Sequence, residues 1–487
     1  MTRPKLLPRA APESRGVSAT ALLACVDALD TRLRHLHSLM VVRRGHVVAE
    51  GWWAPYRADR PHALFSLSKS VTSTAIGLLV EDGLLALDDR VVDLLPDAAP
   101  PVADERLATL RLRHLLSMST GQAGDGLEEV GESTGWARQI LGVPVTAEPG
   151  TRFMYQTGAT YLLAAIATRV TGERLLDHLT PRLLAPLGIE GATWERSPDG
   201  IDVGGFGLSM TTEDVAAFGQ LCLQRGRWHG QHLVPEAWVA TATATQVSNG
   251  DPAFPSDWTQ GYGFQFWRSR HGGYRGDGAF GQLCLVLPEQ EVVVAVTAGL
   301  PDMQDELDVI WETLLPALGH EAVPPDPNAD ALLAHRLGSL CLPTPAGVPT
   351  SPWLGPGALR RVSLDRDSML ASLELWAADE TLQVRLVGTG LDVRVSCGHD
   401  RWVEGGVAAF DGVRPFTDRP SSPLAGAYAW TSPDLLEVRA WATDTSFAWH
   451  LDVVFGEDGR VVLELRQNVA FTTPPVLLAS GVLEPAA

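Results

Sequence analysis

The chain has 487 residues, of which 45% are hydrophobic and 20% charged, and its formal net charge is −20 at pH 7. This length exceeds what one hydrophobic core usually serves, so we expect two domains. The strong negative charge gives a nucleic acid no electrostatic attraction, and we expect no nucleic-acid partner.

The N-terminal segment, residues 1–19, is polar and lacks the apolar core of a signal peptide. No run of 18 or more apolar residues occurs in the sequence, which predicts that no helix spans a membrane. The five cysteines are scattered and form no C-x-x-C pair, as is typical of reduced thiols. We therefore expect a cytoplasmic protein without a membrane partner, and its oligomeric state is left open.

The first elements in the chain are a helix, a hairpin and a second helix. Helical periodicity runs from Thr20 to Leu36, and the apolar stretches around Arg43-Arg44-Gly45 predict a β-hairpin. An amphipathic helix then opens at Ser66-Leu67-Ser68-Lys69 and stops at Gly83, a residue typical of the C′ position. Residues three apart in a helix lie on one face, so we expect the Ser66 and Lys69 side chains to be neighbours.

A serine at a helix N-terminus with an amine one turn below has the features of a nucleophile. The lysine can accept the hydroxyl proton, and the helix dipole favours developing negative charge. A bare S-x-x-K is nevertheless common, and a capped surface helix accounts for Ser66 and Lys69 equally well. The later motifs have to decide between the two interpretations.

The segment Pro149–Thr157 precedes a predicted helix that ends at Gly172. A tyrosine at such a junction can face a cleft, where a nearby cation would lower the pKa of Tyr155 and make it a proton shuttle. A buried aromatic ring with a bonded hydroxyl is the alternative for Tyr155, and a helix N-cap is the alternative for Thr157.

The run Gly276-Asp277-Gly278-Ala279-Phe280-Gly281 fits the dinucleotide pattern G-x-G-x-x-G, but a predicted strand follows it where that pattern requires a helix. Glycines on a strand instead let a substrate backbone approach closely, and the strand can lend an N–H to an oxyanion. Two apolar strands, Gly281–Leu287 and Val292–Ala298, then form a hairpin before a helix at Asp305–Leu315. We expect a sheet assembled from both ends of this domain, with a helical lobe inserted.

Two proline-rich breaks divide the chain into a domain at 1–322, a linker with a short helix at 323–350, and a domain at 351–487. Apolar residues alternate along several segments of the last part, which predicts an antiparallel β domain, either a barrel or a sandwich. The expected fold class is therefore α+β followed by a smaller β domain.

The order of these motifs closely resembles the penicillin-recognising serine hydrolases, specifically the class C β-lactamase-related group that includes esterases and D-aminopeptidases. The likeness covers roughly residues 12–318 and also includes His114–Gly121, Pro186-Leu187-Gly188 and Gly261-Tyr262-Gly263. It implies a β-lactamase/transpeptidase-like domain, with an antiparallel sheet flanked by helices plus a helical lobe. The C-terminal part resembles the lipocalin-like barrels of some relatives, which could shape the cleft, bind an apolar group or mediate association.

The resemblance also implies roles for individual residues. Ser66 matches the acylated nucleophile, Lys69 the lysine that activates it, and Tyr155 the tyrosine that passes protons to and from the leaving group. Gly276-Asp277-Gly278 falls where the family has Lys/His-x-Gly, and the backbone N–H groups of Ser66 and Ala279 would form the oxyanion hole. The implied function is hydrolysis of a small ester or amide through an acyl-enzyme, without a metal or organic cofactor.

Two positions depart from the family pattern. Thr157 replaces the asparagine of Tyr-x-Asn, and Gly276 replaces the lysine or histidine of the third motif. The upstream run His271-Gly272-Gly273 has the residues of that motif, but it is not our first choice because it lies too far from the strand. The missing cation, with Asp277 beside the site, favours an uncharged or cationic substrate over β-lactam or peptidoglycan carboxylates. Asp277 could equally point away from the cleft, because strand side chains alternate. A hydrolase scaffold that has lost turnover and binds a ligand is the alternative function.

Other catalytic patterns find no support in the sequence. It contains no G-x-S-x-G elbow, no P-loop and no H-E-x-x-H. His35 and His37 lack an evident third ligand, so we expect no metal site there.

Overall fold

The computed structural model describes residues 5–101, 105–127, 130, 133–251, 254, 256–319, 323–355, 357–365, 369–378, 380–389, 391–410, 421–473 and 476–484. The strands of this part of the chain are β1 Leu36–Arg43, β2 His46–Trp52, β3 His62–Ala63, β4 Thr193–Trp194, β5 Leu208–Met210, β6 Arg227–Trp228, β7 Gln231–His232, β8 Trp267–Arg268, β9 Tyr274–Gly278, β10 Gln282–Leu287, β11 Val292–Ala298, β12 Leu359–Leu364, β13 Leu370–Ala378, β14 Thr381–Gly388, β15 Leu391–His399, β16 Val403–Phe410, β17 Ser421–Trp430, β18 Leu435–Ala442, β19 Ala448–Phe455, β20 Arg460–Gln467 and β21 Val476–Leu483. Its α-helices are α1 Ala19–Leu33, α2 Ser68–Glu81, α3 Val91–Leu94, α4 Leu112–Leu116, α5 Trp136–Leu141, α6 Thr157–Thr171, α7 Leu175–Leu179, α8 Ala185–Leu187, α9 Thr212–Leu223, α10 Glu236–Thr243, α11 Gln304–Val309 and α12 Pro327–Gly338.

The N-terminal part is built on an antiparallel sheet with the strand order β2-β1-β11-β10-β9-β8. The first hairpin lies directly beside the last, since Val41 of β1 pairs with Val294 of β11. This confirms the sheet expected from both ends of the domain. The helix expected at Asp305–Leu315 begins as α11 and continues as a π-helical turn at Ile310–Leu314.

Alternate residues of the central strands face two different hydrophobic cores. On β11, Val293 and Ala295 belong to the core shared with α2, α6 and α9. The intervening Val294 and Val296 belong to the core shared with α1 and α11. Both faces of β11 are therefore covered, which explains why every residue of this strand is buried. Each buried valine of this kind contributes roughly 1.5–3 kcal/mol relative to an exposed one.

The C-terminal part is a closed barrel in which β12 to β21 follow one another in order. Closure comes from the antiparallel pairing of the first and last strands, where Ser363 lies opposite Val482. Leu382, Val384 and Leu386 of β14 are buried while the residues between them are partly exposed, as the period of a half-buried strand requires. Closure decides between the two expected architectures in favour of a barrel, and the α+β class with an added β domain is confirmed.

The region between the two parts contains the predicted short helix, α12. Its Arg336 donates a hydrogen bond to Asp27 of α1 at 2.7 Å and also pairs with Asp30, so this helix packs on the N-terminal part. His37, considered above as a metal ligand, is buried at the domain junction, where it stacks on Tyr56 at 3.7 Å and contacts His62. Among the described residues, no helix is both long and apolar enough to cross a membrane.

Candidate active site

Ser66 lies in a short 3₁₀ turn, Phe65–Leu67, that leads directly into α2. The turn is fixed by its own polar groups, since the Ser68 hydroxyl donates to the Phe65 carbonyl at 2.6 Å and accepts from the Leu208 N–H at 3.2 Å. Ser66 is half-buried, whereas α2 is buried from Ser68 to Leu79. The surface-helix alternative for this motif is therefore wrong.

Lys69 reaches back one turn to the serine. Its Nζ atom lies 2.9 Å from Ser66 Oγ, 3.3 Å from Thr157 Oγ1 and 2.7 Å from the Gly205 carbonyl oxygen. The side chain is only 1% exposed. Burial lowers the pKa of Lys69 from 10.5 to about 7, against an opposing effect of Asp125, which raises it. A large fraction of this lysine is therefore the neutral amine at neutral pH.

The three oxygens around Lys69 match the hydrogen-bonding capacity of a neutral amine. A neutral amine has two N–H donors and one lone pair. The Gly205 carbonyl can only accept, and Thr157 Oγ1 accepts the second N–H. The lone pair is then left for the hydroxyl hydrogen of Ser66. This arrangement is what a general base for Ser66 requires.

Tyr155 lies against the same lysine and serine. The Lys69 ammonium position is 4.9 Å from the centre of the Tyr155 ring, and the phenol hydrogen-bonds with the Ser66 side chain. The ring stacks on Trp267 at 5.4 Å. Burial is the main cause that raises the pKa of Tyr155 above its ordinary value of 10; the charges of Asp277 and Asp125 add to it, and Ser66 and Arg275 oppose it. The expectation of a pKa lowered by a nearby cation is wrong, and the phenol stays protonated at neutral pH.

Thr157 is the first residue of α6, and Gln156 occupies the N-cap position, so the N-cap alternative for Thr157 is wrong. The Gln156 side chain is buried, and its amide donates to the Gly124 carbonyl at 2.7 Å. The Thr157 hydroxyl is consequently free of a capping role and faces Lys69. Gly205 approaches so closely that a Cβ on it would lie 2.6 Å from the Thr157 side chain.

Strand β9 lies directly against the segment that contains Ser66. A Cβ on Gly278 would lie 2.1 Å from the Leu64 carbonyl oxygen, and one on Gly276 would lie 2.9 Å from Ser70 Oγ. These glycines therefore allow the segment around Ser66 to pack closely against β9, whereas we had expected them to allow the close approach of a substrate backbone. At position 276, any side chain would require the Ser70 hydroxyl to move. Ala279, half-buried at the end of β9, follows this contact directly.

Asp277 does not extend into the open cleft as a substrate-binding carboxylate. Its side chain is 3% exposed and forms an ion pair with Arg275 at 2.6 Å. The side chain of Arg275 packs 4.6 Å from the ring centre of Trp258. Because strand side chains alternate, Arg275 and Asp277 lie on the face of β9 opposite to that of Gly276. The pair is neutral overall, which corrects the idea of an uncompensated negative charge beside the site.

Two groups in the site were missed by sequence reasoning. Gly205 lies in the glycine-rich run Val203–Gly207, a signal for close backbone approach that could have been noticed. Asp125 is half-buried, accepts a hydrogen bond from the Gly158 N–H at 2.5 Å, and acts on the pKa values of Lys69 and Tyr155. No local pattern marks Asp125. Within the described residues, no group of three or more His, Cys, Asp or Glu could hold a metal ion.

Comparison with known proteins identifies the family. The family model described as Beta-lactamase matches residues 29–315, which is more than half of the chain and includes Ser66, Lys69, Tyr155 and β9. The chain belongs to the beta-lactamase family. Membership confirms the resemblance drawn from the motifs. The fold is a β-lactamase/transpeptidase-like domain followed by a closed β-barrel.

Relatives within the beta-lactamase family include enzymes with two different names. The 6-aminohexanoate-dimer hydrolase of Paenarthrobacter ureafaciens is 28% identical over 61% of this chain and 84% of its own length. Esterase EstB of Burkholderia gladioli is 28% identical over 37% of this chain and 53% of its own. A crystal structure from Bacteroides dorei, provisionally named a beta-lactamase, shares the fold with a TM-score of 0.54, 20% identity, and coverage of 62% and 99%. The two relatives' names support hydrolase activity in general.

Proposed function

We propose that the protein is a serine hydrolase that cleaves a small ester or amide through an acyl-enzyme on Ser66. One observation carries this proposal: Lys69 Nζ lies 2.9 Å from Ser66 Oγ, and its pKa is lowered to about 7 by burial. A base within hydrogen-bond reach and with a pKa near the working pH is what general-base catalysis needs.

Acylation begins when neutral Lys69 takes the hydroxyl proton of Ser66 and Oγ attacks the substrate carbonyl carbon. The oxyanion accepts hydrogen bonds from the N–H groups of Ser66 and Ala279, each of which is worth about 2.7–4 kcal/mol in comparable sites. The C–O or C–N bond breaks as the protonated phenol of Tyr155 gives its proton to the leaving group. The Lys69 ammonium returns a proton to the phenolate, so the acyl-enzyme is formed with both residues neutral.

Deacylation repeats these steps with water as the nucleophile. Water attacks the ester carbon of the acyl-enzyme and gives up a proton to Lys69, directly or through Tyr155. The bond from the acyl carbon to Ser66 Oγ then breaks, and Oγ takes the proton back from Lys69. The acid is released and the resting site is restored without any cofactor.

The charges near the site favour an uncharged or cationic substrate. Asp277 is neutralised by Arg275, and position 276 carries no cation. Asp125 is half-exposed and close enough to raise the pKa of Lys69, so it adds negative potential to the cleft. A carboxylate-bearing substrate would meet this negative potential without a matching cation. The names of two relatives, an esterase and a 6-aminohexanoate-dimer hydrolase, support a small substrate of this kind.

A panel of short acyl esters and D-amino-acid amides tests the proposal, read with wild type and Ser66→Ala. We expect Ser66→Ala to lose at least about a thousandfold in kcat/KM, as removal of a catalytic serine does elsewhere. A stalled turnover should also add the acyl mass to wild type alone. Ser339→Ala, which changes an exposed serine at the end of α12, is the control and should behave as wild type. Equal hydrolysis by wild type and Ser66→Ala would refute the proposal.

A binding role is the second candidate, and a cavity in the barrel favours it. The cavity has a volume of about 240 Å³ and an almost wholly apolar lining that includes Val384, Leu386, Val438 and Leu451. Such a space suits a small apolar ligand. An apolar fluorescent probe should then bind with equal affinity to wild type and Ser66→Ala, and Val438→Trp, which fills the cavity, should abolish binding.

A further inference from the structure

The loop between β18 and β19, Thr443–Phe447, docks the barrel beside the nucleophile turn. Its Asp444 carbonyl accepts a hydrogen bond from the Ala63 N–H at 2.8 Å, three residues before the nucleophile. Its Thr445 carbonyl accepts the hydroxyl of Tyr56 at 2.9 Å. The loop is thus held by buried polar contacts with the N-terminal part, and its position relative to the cleft is fixed.

The same loop is connected to the second oxyanion donor. The buried Ser446 hydroxyl accepts a hydrogen bond from the Gln282 amide at 2.8 Å and donates to the Ala298 carbonyl at 2.6 Å. The Gln282 amide also donates to the carbonyl of Ala279 at 2.9 Å. Two hydrogen bonds therefore join the barrel to the residue whose N–H is proposed to hold the oxyanion.

Four phenylalanines meet where the barrel touches the site; we call them the phenylalanine cluster, Phe65, Phe280, Phe447 and Phe471. The Phe65 and Phe280 rings lie edge to face with centres 5.4 Å apart. From the barrel, the Phe447 ring lies 6.0 Å from Phe65 and 5.8 Å from Phe280. The Phe471 ring lies 5.9 Å and 4.9 Å from the same two rings.

The first two members of the cluster flank the proposed oxyanion donors in the sequence. Phe65 precedes Ser66, and Phe280 follows Ala279. Both have positive φ angles, 45° and 69°, a conformation that bulky side chains rarely adopt. Glycine would adopt these angles without steric cost, yet both positions carry a large aromatic ring.

The cluster is only partly covered by the rest of the protein. Phe471 is 74% exposed, Phe65 and Phe447 are half-buried, and Phe280 is buried beneath them. An exposed aromatic ring is ordinary by itself, but this one completes an apolar surface next to a reacting serine. Tyr155 belongs to another aromatic group with Trp267 and Tyr262, so the aromatic rings next to Ser66 fall into two groups.

We propose that the phenylalanine cluster is the acyl-binding subsite, so that the barrel supplies part of the substrate specificity through Phe447 and Phe471. This inference rests on the proposed function. The leaving group must lie at Tyr155 to receive its proton, and the oxyanion must lie between the N–H groups of Ser66 and Ala279. The remaining substituent of the carbonyl carbon, the acyl chain, then runs along the phenylalanine cluster, which favours medium-length alkyl or aromatic acyl groups.

Alkyl fluorophosphonates test this subsite without depending on the natural substrate. They transfer their phosphonyl group to a serine: a bond forms between Ser66 Oγ and phosphorus, fluoride leaves, and Lys69 takes the proton. The rate of labelling is measured with a methyl and with an octyl probe. We expect wild type to prefer the octyl probe, and Phe471→Ala to lower the octyl-to-methyl rate ratio at least about fivefold, because lost apolar contacts of this size cost that much discrimination.

Leu478→Ala is the matched control, because Leu478 is a 68% exposed apolar residue of the same barrel, outside the cluster. It should keep the wild-type ratio, and Phe471→Leu should keep most of it. Equal octyl-to-methyl rate ratios in wild type, Phe471→Ala and Phe447→Ala, with unchanged thermal unfolding, would refute the acyl-binding subsite. Ser66 would still be labelled in that case, so the proposed function would stand. Absence of labelling in wild type would instead overturn the proposed function, and the subsite with it.

Discussion

The pH dependence of acylation tests the neutral-lysine mechanism most directly. The rate of acylation should follow the fraction of Lys69 that is the free amine, because only that form can take the proton of Ser66. With the pKa of Lys69 at about 7, this fraction is about one half at pH 7, about a tenth at pH 6 and about a hundredth at pH 5. A lysine at its ordinary pKa of 10.5 would be neutral to only about 0.03% at pH 7, which is over a thousandfold less.

At high pH, the rate of acylation should be limited by Tyr155, which must be protonated to give a proton to the leaving group. Burial raises the pKa of Tyr155 above 10, so we expect kcat/KM to rise through pH 7 and then stay level to at least pH 10. Pre-steady-state acylation by a chromogenic ester, measured from pH 5 to 10, gives this profile. A rise centred near pH 10 would refute the assignment of Lys69 as a neutral base.

Asp125→Asn makes the test sharper. Asp125 raises the pKa of Lys69 through its charge, so its removal should move the acid limb of the profile to lower pH. Glu457→Gln is the matched control, because Glu457 is an exposed carboxylate in the turn between β19 and β20, at the barrel end away from the docking loop. An acid limb that stays at the wild-type pH in Asp125→Asn would mean that another group titrates.

Three further predictions concern the packing around the site. In urea titrations, Lys69→Met should become more stable than wild type as the pH falls from 10.5 to 7. The difference between the two free energies of unfolding should grow by up to about 5 kcal/mol and then level off, because only the unfolded wild-type chain gains a proton in that pH range. Thr157→Val should lower kcat/KM about five- to tenfold at unchanged thermal stability, since one N–H of the amine loses its acceptor; wild-type rates would contradict this role. Gly278→Ala should lower the melting temperature and abolish labelling of Ser66, because the added Cβ meets the Leu64 carbonyl, whereas Gly338→Ala, with open space around it, should change neither.

Sequence reasoning succeeded where the deciding contacts are local. Ser66 and Lys69 are one turn apart, so any helical backbone brings them together, and the structure does so at 2.9 Å. The hairpins were found because short continuous apolar runs flank their turns. The G-x-G-x-x-G run was correctly rejected as a dinucleotide site because a strand was expected after it, and β10 lies there.

Sequence reasoning was less successful where opposing effects on a pKa, or packing between distant segments of the chain, decide the result. The pKa of Tyr155 moves upward because burial outweighs the nearby cation, and no sequence pattern gives that balance. The sequence left two orientations open for Asp277, beside the substrate or away from the cleft, because its pairing with Arg275 depends on the face of β9 that each residue occupies. The meeting of Phe471 with Phe65 depends on how the barrel docks, which is a matter of tertiary packing alone.

The two departures from the family pattern are physically connected. A cation at position 276 would favour the phenolate form of Tyr155 and oppose a proton on Lys69. With glycine there, burial has the largest effect on both pKa values: it keeps Tyr155 protonated and favours the neutral form of Lys69 that the proposed mechanism uses as the base. Thr157 fits this division because its hydroxyl oxygen accepts from the amine at 3.3 Å without adding charge. In the proposed mechanism, the altered motifs therefore divide the roles of base and acid between Lys69 and Tyr155, which is a reason to expect turnover from this site rather than its loss.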